Sequence, residues 1–88
     1  MLNIEFYPDA WDDYLNFTGD KKLFIKINTL IKDIVRGNET DGIGKPEALK
    51  GDLSGCYSRR IDDKNRIVYR IKGDTAQILQ VGTHYKEK

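Results

Sequence analysis

Four side chains in the second half of the chain carry the groups that cleave a phosphodiester without a metal. Glu47 can supply a carboxylate base, Arg66 a fixed cation, and His84, the only histidine, a group that titrates near neutrality. RNA cleavage needs a base for the 2′-hydroxyl, cations for the crowded phosphorane and an acid for the departing 5′-oxygen. Tyr85, next to His84, adds a ring that can stack on a base. The question is whether the fold brings them together.

Taken singly, these residues also fit plain structural interpretations. Glu47 follows Pro46, whose fixed φ stiffens the chain, but a solvated loop glutamate fits the same pattern. His84 alone equally fits an exposed residue near the C-terminus, and Tyr85 can equally cover a sheet edge. Only the set as a whole indicates a site.

Further cations accompany the set. Arg66 opens a predicted strand and Arg70 follows four positions later, so both are expected to point away from the helix layer. A guanidinium can bind phosphate oxygens through two hydrogen bonds. Arg59 and Arg60 alternate on their strand, so we expect one of them in the cleft and the other in a surface role. Lys50 is another candidate phosphate contact.

Metal, cofactor and thiol chemistry are poorly supported. One histidine, one cysteine and no acidic cluster at ligand spacing argue against a zinc or two-metal site. The chain has no glycine-rich phosphate loop, so no cofactor is predicted. Cys56 and His84 can form a thiol–imidazole pair, but strand cysteines are mostly buried and inert. A lone cysteine also excludes an internal disulfide.

The pattern of the first half predicts one strand and two helices. Residues 2–7 alternate apolar and polar, as a half-buried strand does. Pro8 suits the start of a short helix, and Asp20 is a good N-cap for a longer one that ends at Gly37. Apolar residues at spacings of three and four give both helices a core-facing stripe. The stripes comprise Trp11, Tyr14, Leu15, Leu23, Phe24, Ile27, Leu30, Ile31 and Ile34.

The second half is predicted to be β structure. Residues 37–44 form a glycine-bearing loop, and strands are expected over 56–61, 66–72 and 75–82 with short turns between them. The element order β-α-α-β-β-β predicts a two-layer α+β fold, an antiparallel sheet with two helices packed on one face. With 88 residues and 39% hydrophobic content, residues 1–88 are expected to form a single domain.

Charge is unevenly distributed along the chain. Residues 1–44 carry five Lys/Arg against eight Asp/Glu, and residues 45–88 carry ten against six, although the net charge is only +1. A basic surface that attracts polyanions explains this asymmetry, and chance scatter in a small protein explains it equally well. The apolar runs are too short to span a membrane, and the N-terminus lacks a secretory pattern, so a cytoplasmic location is expected.

These residues, in this order, resemble the YoeB branch of the RelE/ParE toxin superfamily. The resemblance covers essentially the whole chain. It rests on Trp11-Asp12-Asp13-Tyr14, residues 25–33, Gly44-Lys45-Pro46-Glu47, Leu49-Lys50, Leu53-Ser54-Gly55, Ser58-Arg59-Arg60-Ile61, Arg66-Ile67-Val68-Tyr69 and His84-Tyr85.

The resemblance implies the microbial RNase/RelE-like fold and a toxin of a type II toxin–antitoxin pair. Such a toxin is a ribosome-dependent mRNA endoribonuclease that cuts mRNA in the ribosomal A site and blocks translation. By matching positions, Glu47 is the general base, His84 the general acid, and Arg66 stabilises the transition state. Lys50, Arg60 and Tyr85 match positions that bind RNA, and neighbouring Arg59 joins this expected set.

The resemblance also implies partners. These are a YefM-like antitoxin whose C-terminal segment covers the cleft, the ribosome with its mRNA, and a second copy in a homodimer, with no membrane. The alternative is a non-catalytic ParE-like toxin that inhibits a topoisomerase by binding. The joint presence of an acid, a base and a fixed cation favours the nuclease, because a pure binder needs no acid–base set.

Overall fold

A computed structural model describes residues 1–82 of the chain, and His84 and Tyr85 lie outside the described residues. Two short 3-10 turns, Phe17–Gly19 and Gly51–Leu53, connect regular elements. Those elements are, in chain order, β1 (Asn3–Phe6), α1 (Pro8–Asn16), α2 (Lys21–Val35), β2 (Glu47–Ala48), β3 (Tyr57–Arg60), β4 (Arg66–Lys72) and β5 (Thr75–Gly82).

The strands form one five-stranded sheet in the order β1-β5-β4-β3-β2. The predicted meander is confirmed, since β3, β4 and β5 pair antiparallel in sequence. The predicted antiparallel sheet is confirmed for β2 to β5, and β1 differs because it pairs parallel to β5. The strand β2 is not among the predicted strands, and it pairs antiparallel with β3 at the far edge of the sheet. Both differences involve pairings between distant parts of the chain, which no local pattern specifies.

The helices begin and end where the sequence predicts. Pro8 is the first residue of α1, and the Asp20 carboxylate accepts a hydrogen bond from the Leu23 N–H at 3.2 Å, which caps α2. Gly37, with a φ of 109°, follows the end of α2. The Tyr14 hydroxyl donates to Asn28 Oδ1 at 2.7 Å and ties the two helices together.

The two faces of the sheet differ in what covers them. We call the side under the helices the helix face and the opposite side the open face. Twelve buried residues form the core on the helix face, including Ile67, Tyr69 and Val81. The open face has a smaller buried cluster of Leu49, Cys56 and Val68. The main core thus lies between sheet and helices, as the alternation in β4 predicts.

Helix α1 is less buried than its stripe predicts. Ala10 is its buried residue, whereas Trp11 and Leu15 stay about half exposed. Trp11 packs edge-on against Phe6 with ring centroids 5.3 Å apart, at the rim of the core. Within residues 1–82, neither helix is both long and apolar enough to cross a membrane.

Candidate active site

The register of the sheet brings several predicted site residues to the open face. Directly paired residues in antiparallel strands share a face. One row across the sheet runs from Glu47 on β2 through Ser58 on β3 to Val68 on β4. The buried open-face cluster contains Val68, which fixes the side on which this row lies.

The next row holds the cations. Arg60 on β3 pairs with Arg66 on β4, which in turn pairs with Gly82 on β5. Because Arg60 lies two residues after Ser58, it points to the same face as that row. The structure therefore places Glu47, Arg60 and Arg66 together on the open face.

The spacing leaves room for a phosphate between acid and cation. Glu47 and Arg66 are separated by two strand spacings and one two-residue step, which puts their Cα atoms roughly 12 Å apart. Both residues lie on the same face, with Ser58 and Arg60 of β3 between their strands. An anion bound there lies within reach of a carboxylate on one side and guanidinium groups on the other.

These side chains have no partner within residues 1–82. Glu47 and Arg60 are exposed, Arg66 is half-buried, and the ion pair found in this part of the chain joins two other residues, Arg59 and Asp33. Lys50 is also exposed and precedes the 3-10 turn at Gly51–Leu53. Unpaired charges on an exposed surface are available to a ligand. His84 and Tyr85 lie outside the described residues, two and three positions after Gly82 in the sequence.

Arg70 also lies on the open face, but its guanidinium is hydrogen-bonded within the protein. Its Nε donates to Gln77 Oε1 at 2.6 Å, and its Nη2 donates to the Tyr7 hydroxyl at 2.5 Å. Gln77 Nε2 in turn donates to Glu5 Oε1 at 2.7 Å. This network fixes Arg70 near β1, so Arg66 and Arg70 do not act as the similar pair that their spacing suggests.

The structure does not support an RNA-binding role for Arg59. Its side chain is 0% exposed and points to the helix face, opposite to Arg60. Its Nη1 donates to Asp33 Oδ2 at 2.6 Å, and its Nε donates to the Tyr69 hydroxyl at 3.1 Å. Alternation along β3 predicts opposite directions for Arg59 and Arg60, and the structure agrees. The surface role expected for the arginine outside the cleft is wrong, because the guanidinium of Arg59 is buried and all of its N–H groups are hydrogen-bonded.

Sequence reasoning missed two residues near the site. Asp33 lies in α2 and is the ion-pair partner of Arg59. Ser58 stands between Glu47 and Val68, is 0% exposed, and its Oγ has no hydrogen-bond partner in the described part of the chain. A single serine in a strand has no sequence pattern that marks it as part of a site. The ion pair joins residues 26 positions apart in the chain, so the sequence does not predict it either.

Thiol and metal chemistry have no support in residues 1–82. Burial raises the pKa of the Cys56 thiol, although the positive charge of Arg70 opposes this, so the thiol stays protonated. No three His, Cys, Asp or Glu side chains are grouped as metal ligands in this segment. The carboxylate and the guanidinium groups are the reactive groups that the described open face offers.

A separate groove of about 640 Å³ lies on the other side of the molecule. Leu23, Lys26 and Thr29 of α2 line it, together with Ile61 and Asp62 beyond β3. It contains none of the predicted site residues. The open face, which carries Glu47, Arg60 and Arg66, therefore fits the predicted chemistry better.

Comparison with known proteins identifies the family. A model of the "YoeB-like toxin of bacterial type II toxin-antitoxin system" family matches residues 6–85. The chain is 47% identical to "Toxin YoeB" of Streptomyces coelicolor, over 96% of this chain and 100% of that protein.

Two solved structures from Staphylococcus aureus are also similar. A YoeB dimer superposes with a TM-score of 0.86 at 47% identity, covering 96% of this chain and 98% of that one. The matched chain of a YoeB–YefM complex gives a TM-score of 0.88 at 45% identity, covering 97% and 99%. Sequence, length and fold thus agree, and this chain belongs to the YoeB-like toxins of bacterial type II toxin–antitoxin systems.

Proposed function

We propose that this toxin is a metal-independent endoribonuclease that cleaves mRNA in the ribosomal A site. The observation that carries the proposal is the shared placement of Glu47, Arg60 and Arg66 on the open face, with no partner in residues 1–82. Membership of the YoeB-like family supports it. In the cell the protein would then work in the cytoplasm, where translating ribosomes are found.

The proposed reaction divides the proton transfers between two groups. The Glu47 carboxylate takes the proton of the 2′-hydroxyl, and the 2′-oxygen attacks the adjacent phosphorus. Arg66 stabilises the negative charge that builds up on the phosphorane oxygens. The bond from phosphorus to the 5′-oxygen breaks, and His84 protonates that oxygen. The products are a 2′,3′-cyclic phosphate and a free 5′-hydroxyl.

The remaining residues of the proposed site hold the substrate. Lys50 and Arg60 contact backbone phosphates, and Tyr85 stacks on a base. We assign His84 and Tyr85 their roles from the sequence, since they lie outside the described residues. Arg59 is left out of this set because its guanidinium is buried on the helix face.

We propose two protein partners by the same reasoning. A solved relative is a YoeB–YefM complex, and another is a YoeB dimer. A YefM-like antitoxin would place acidic and apolar groups over the open face, where Arg60 and Arg66 are unpaired. Self-association would follow the YoeB dimer.

The test is to map transcript ends in a translation extract that contains the purified toxin. Glu47→Gln removes the base while keeping its shape, and we expect cleavage to fall by about 10²- to 10⁴-fold. Arg66→Gln should lower it by about 10²- to 10³-fold. The matched control is Glu5→Gln, the same substitution on the opposite edge strand of the sheet, which should cut like the wild type.

The outcomes separate the two candidate functions. Codon-phased cuts that depend on ribosomes and disappear in Glu47→Gln support the nuclease. Undiminished cutting by Glu47→Gln would reject the assigned base. Intact mRNA together with arrested DNA replication would instead favour the topoisomerase inhibitor.

A further inference from the structure

The buried guanidinium of Arg59 uses every hydrogen-bond donor that it has. An arginine side chain carries five N–H groups. The Nε–H binds the Tyr69 hydroxyl, and the two Nη1 hydrogens serve Asp33 Oδ2 and the Ile43 carbonyl at 2.6 and 3.1 Å. The two Nη2 hydrogens are donated to backbone carbonyls, one to that of Asn38 and the other to that of Asp41 at 2.8 Å.

Most of these acceptors belong to one loop. We call residues 37–46 the entry loop, because it runs from the end of α2 to Glu47. Its carbonyls at 38, 41 and 43 accept from Arg59, and the Tyr69 hydroxyl donates to the Glu39 carbonyl at 2.6 Å. Four of the six carbonyls from 38 to 43 therefore point inward to two side chains. The entry loop has no regular structure, so these bonds replace a helix or a strand ladder.

The entry loop also packs too closely for side chains at two positions. A Cβ on Gly42 would lie 2.2 Å from Asp33 Oδ2, and one on Gly44 would lie 2.7 Å from a methyl carbon of Leu30. Both glycines have positive φ, at 112° and 81°. The loop backbone is therefore pressed against the Asp33–Arg59 pair and α2.

The same loop fixes the edge strand that carries Glu47. The Gly44 carbonyl accepts from the Arg60 N–H at 2.7 Å, which starts the pairing that continues from Glu47 to Ser58. A strand of two residues has too few ladder bonds to hold its own register. Its position must come from the segments on either side, and the preceding segment is the entry loop.

We infer that Arg59 is a positioning residue that acts through the entry loop to hold Glu47 at its working position on the open face. The inference rests on the proposed function for its catalytic consequence. Asp33 fixes the guanidinium, Arg59 and Tyr69 fix the loop carbonyls, and the loop fixes β2. The helix face thus determines the geometry of a residue that works on the opposite face.

The test compares two variants with a matched control. Tyr69→Phe keeps the packed ring but removes the hydroxyl that bonds Arg59 and Glu39. Arg59→Lys keeps the charge but has only three donors for five acceptors. Tyr57→Phe is the control, because this ring stacks on Tyr69 with centroids 5.9 Å apart and its hydroxyl has no hydrogen bond within residues 1–82.

Two measurements separate positioning from mere stability. The first is amide hydrogen exchange over residues 38–48, taken where each variant is folded. The second is single-turnover cleavage on saturating substrate, expressed per folded molecule. We expect faster amide exchange in both variants. The single-turnover cleavage rate should be lower by about tenfold for Tyr69→Phe and about 10²-fold for Arg59→Lys, since small displacements of a catalytic group slow the reaction by this much. The substrate concentration at half-saturation should stay within about twofold, because the RNA-binding cations do not move.

Each outcome decides a different question. If the wild type cuts and both variants cut equally well per folded molecule, the positioning role is overturned. If exchange over 38–48 is unchanged in Tyr69→Phe and Arg59→Lys, the proposed route through the loop is overturned. If the wild type does not cut translated mRNA, the proposed function fails instead, and exchange still shows whether Arg59 orders the loop. Should Arg59→Lys fail to fold, Tyr69→Phe decides the matter.

Discussion

Arg59 and Arg60 are neighbours on one strand, and the two faces of the sheet use the same side chain in opposite ways. On the helix face Arg59 is 0% exposed and bonded to a carboxylate, a hydroxyl and three carbonyls. On the open face Arg60 is exposed and has no partner within residues 1–82. A buried charge is tolerated only when it is fully bonded, whereas an exposed charge remains free to bind an anion.

The helix face and the open face of the sheet therefore have different roles. The helix face holds the larger core and the satisfied polar network, so its substitutions should act on stability. The open face holds few buried apolar residues and several unpaired polar groups, so its substitutions should act on ligand binding. Matched substitutions on the two faces can test this division.

The largest effect is expected when each arginine is replaced by methionine. Arg59→Met leaves the Asp33 carboxylate and several loop carbonyls without their donor, and breaking such a pair costs about 3–5 kcal/mol. Arg60→Met should change the free energy of unfolding by less than about 0.5 kcal/mol. Urea denaturation of both variants measures the difference. Equal losses would contradict the division of roles.

A second pair compares the two hydrophobic clusters. Val81 on the helix face and Val68 on the open face are both 0% exposed, and each loses two methyl groups on substitution by alanine. We expect Val81→Ala to cost about 2–3 kcal/mol and Val68→Ala about 1–2 kcal/mol, because the smaller cluster can collapse around the gap. A larger loss at Val68 would show that the open-face cluster is the tighter core.

The sequence predicts which side chains lie on each face of a strand, and where α2 begins and ends, better than it predicts which strands pair. Alternation in β4 places Ile67 and Arg66 on opposite sides, and the capping signals at Asp20 and Gly37 locate α2. These features depend on residues close together in the chain. The parallel pairing of β1 and the two-residue strand β2 do not, and the sequence gives no sign of them.

For the candidate site, the sequence predicts which residues are present better than it predicts the role of each one. Glu47, Arg60 and Arg66 are predicted together and lie on one face. Arg59 has the same type and the same neighbours, yet its role differs because of an aspartate 26 positions earlier. Burial and long-range pairing, which decide whether a cation is structural or free, arise only when the chain has folded.

RNA binding should distinguish the arginines by its dependence on salt. Each phosphate neutralised on single-stranded RNA contributes about −0.7 to the slope of log affinity against log salt concentration. Arg60→Gln should therefore make the slope shallower by about 0.7, whereas Arg59→Lys, corrected for the folded fraction, should leave it unchanged. Fluorescence titration of a short RNA at several salt concentrations measures both. A shallower slope for Arg59→Lys would contradict the burial of Arg59 in the working state.

Acid should weaken the helix-face network through Asp33. Burial alone raises the pKa of this carboxyl, but hydrogen bonds from Arg59, Asn38 and the Ile43 N–H, with the charge of Arg59, hold its pKa below the ordinary value. Its folded-state pKa is thus the lower one, and its stabilisation is present above the unfolded pKa of about 3.9 and lost as pH falls through the folded value. The stability difference between wild type and Asp33→Asn should stay constant from pH 7 to about 5 and shrink below about pH 4.

Asp62 provides the control for that titration. Hydrogen bonds from the Asn65 and Lys64 N–H groups lower its pKa despite some burial, so its stabilisation is lost in the same acid range. Asp62 lies in the turn between β3 and β4 and has no hydrogen bond to the entry loop. Asp62→Asn should leave amide exchange over residues 38–48 unchanged at neutral pH, whereas Asp33→Asn should accelerate it.

The smallest expected change belongs to Ser58→Ala, in a comparison that deletes one hydroxyl on each face. Tyr69→Phe removes a bonded hydroxyl on the helix face and should cost about 1–3 kcal/mol. Ser58→Ala removes a buried hydroxyl on the open face that has no partner in the described chain, so unfolding free energy should stay level or rise by up to about 1 kcal/mol. Chemical denaturation measures both. A loss of cleavage by Ser58→Ala at unchanged stability would mean that this hydroxyl finds its partner in the bound RNA, because it stands in the row between Glu47 and β4. A loss of stability instead would place its partner within the folded protein and move Ser58 to the structural side of the division.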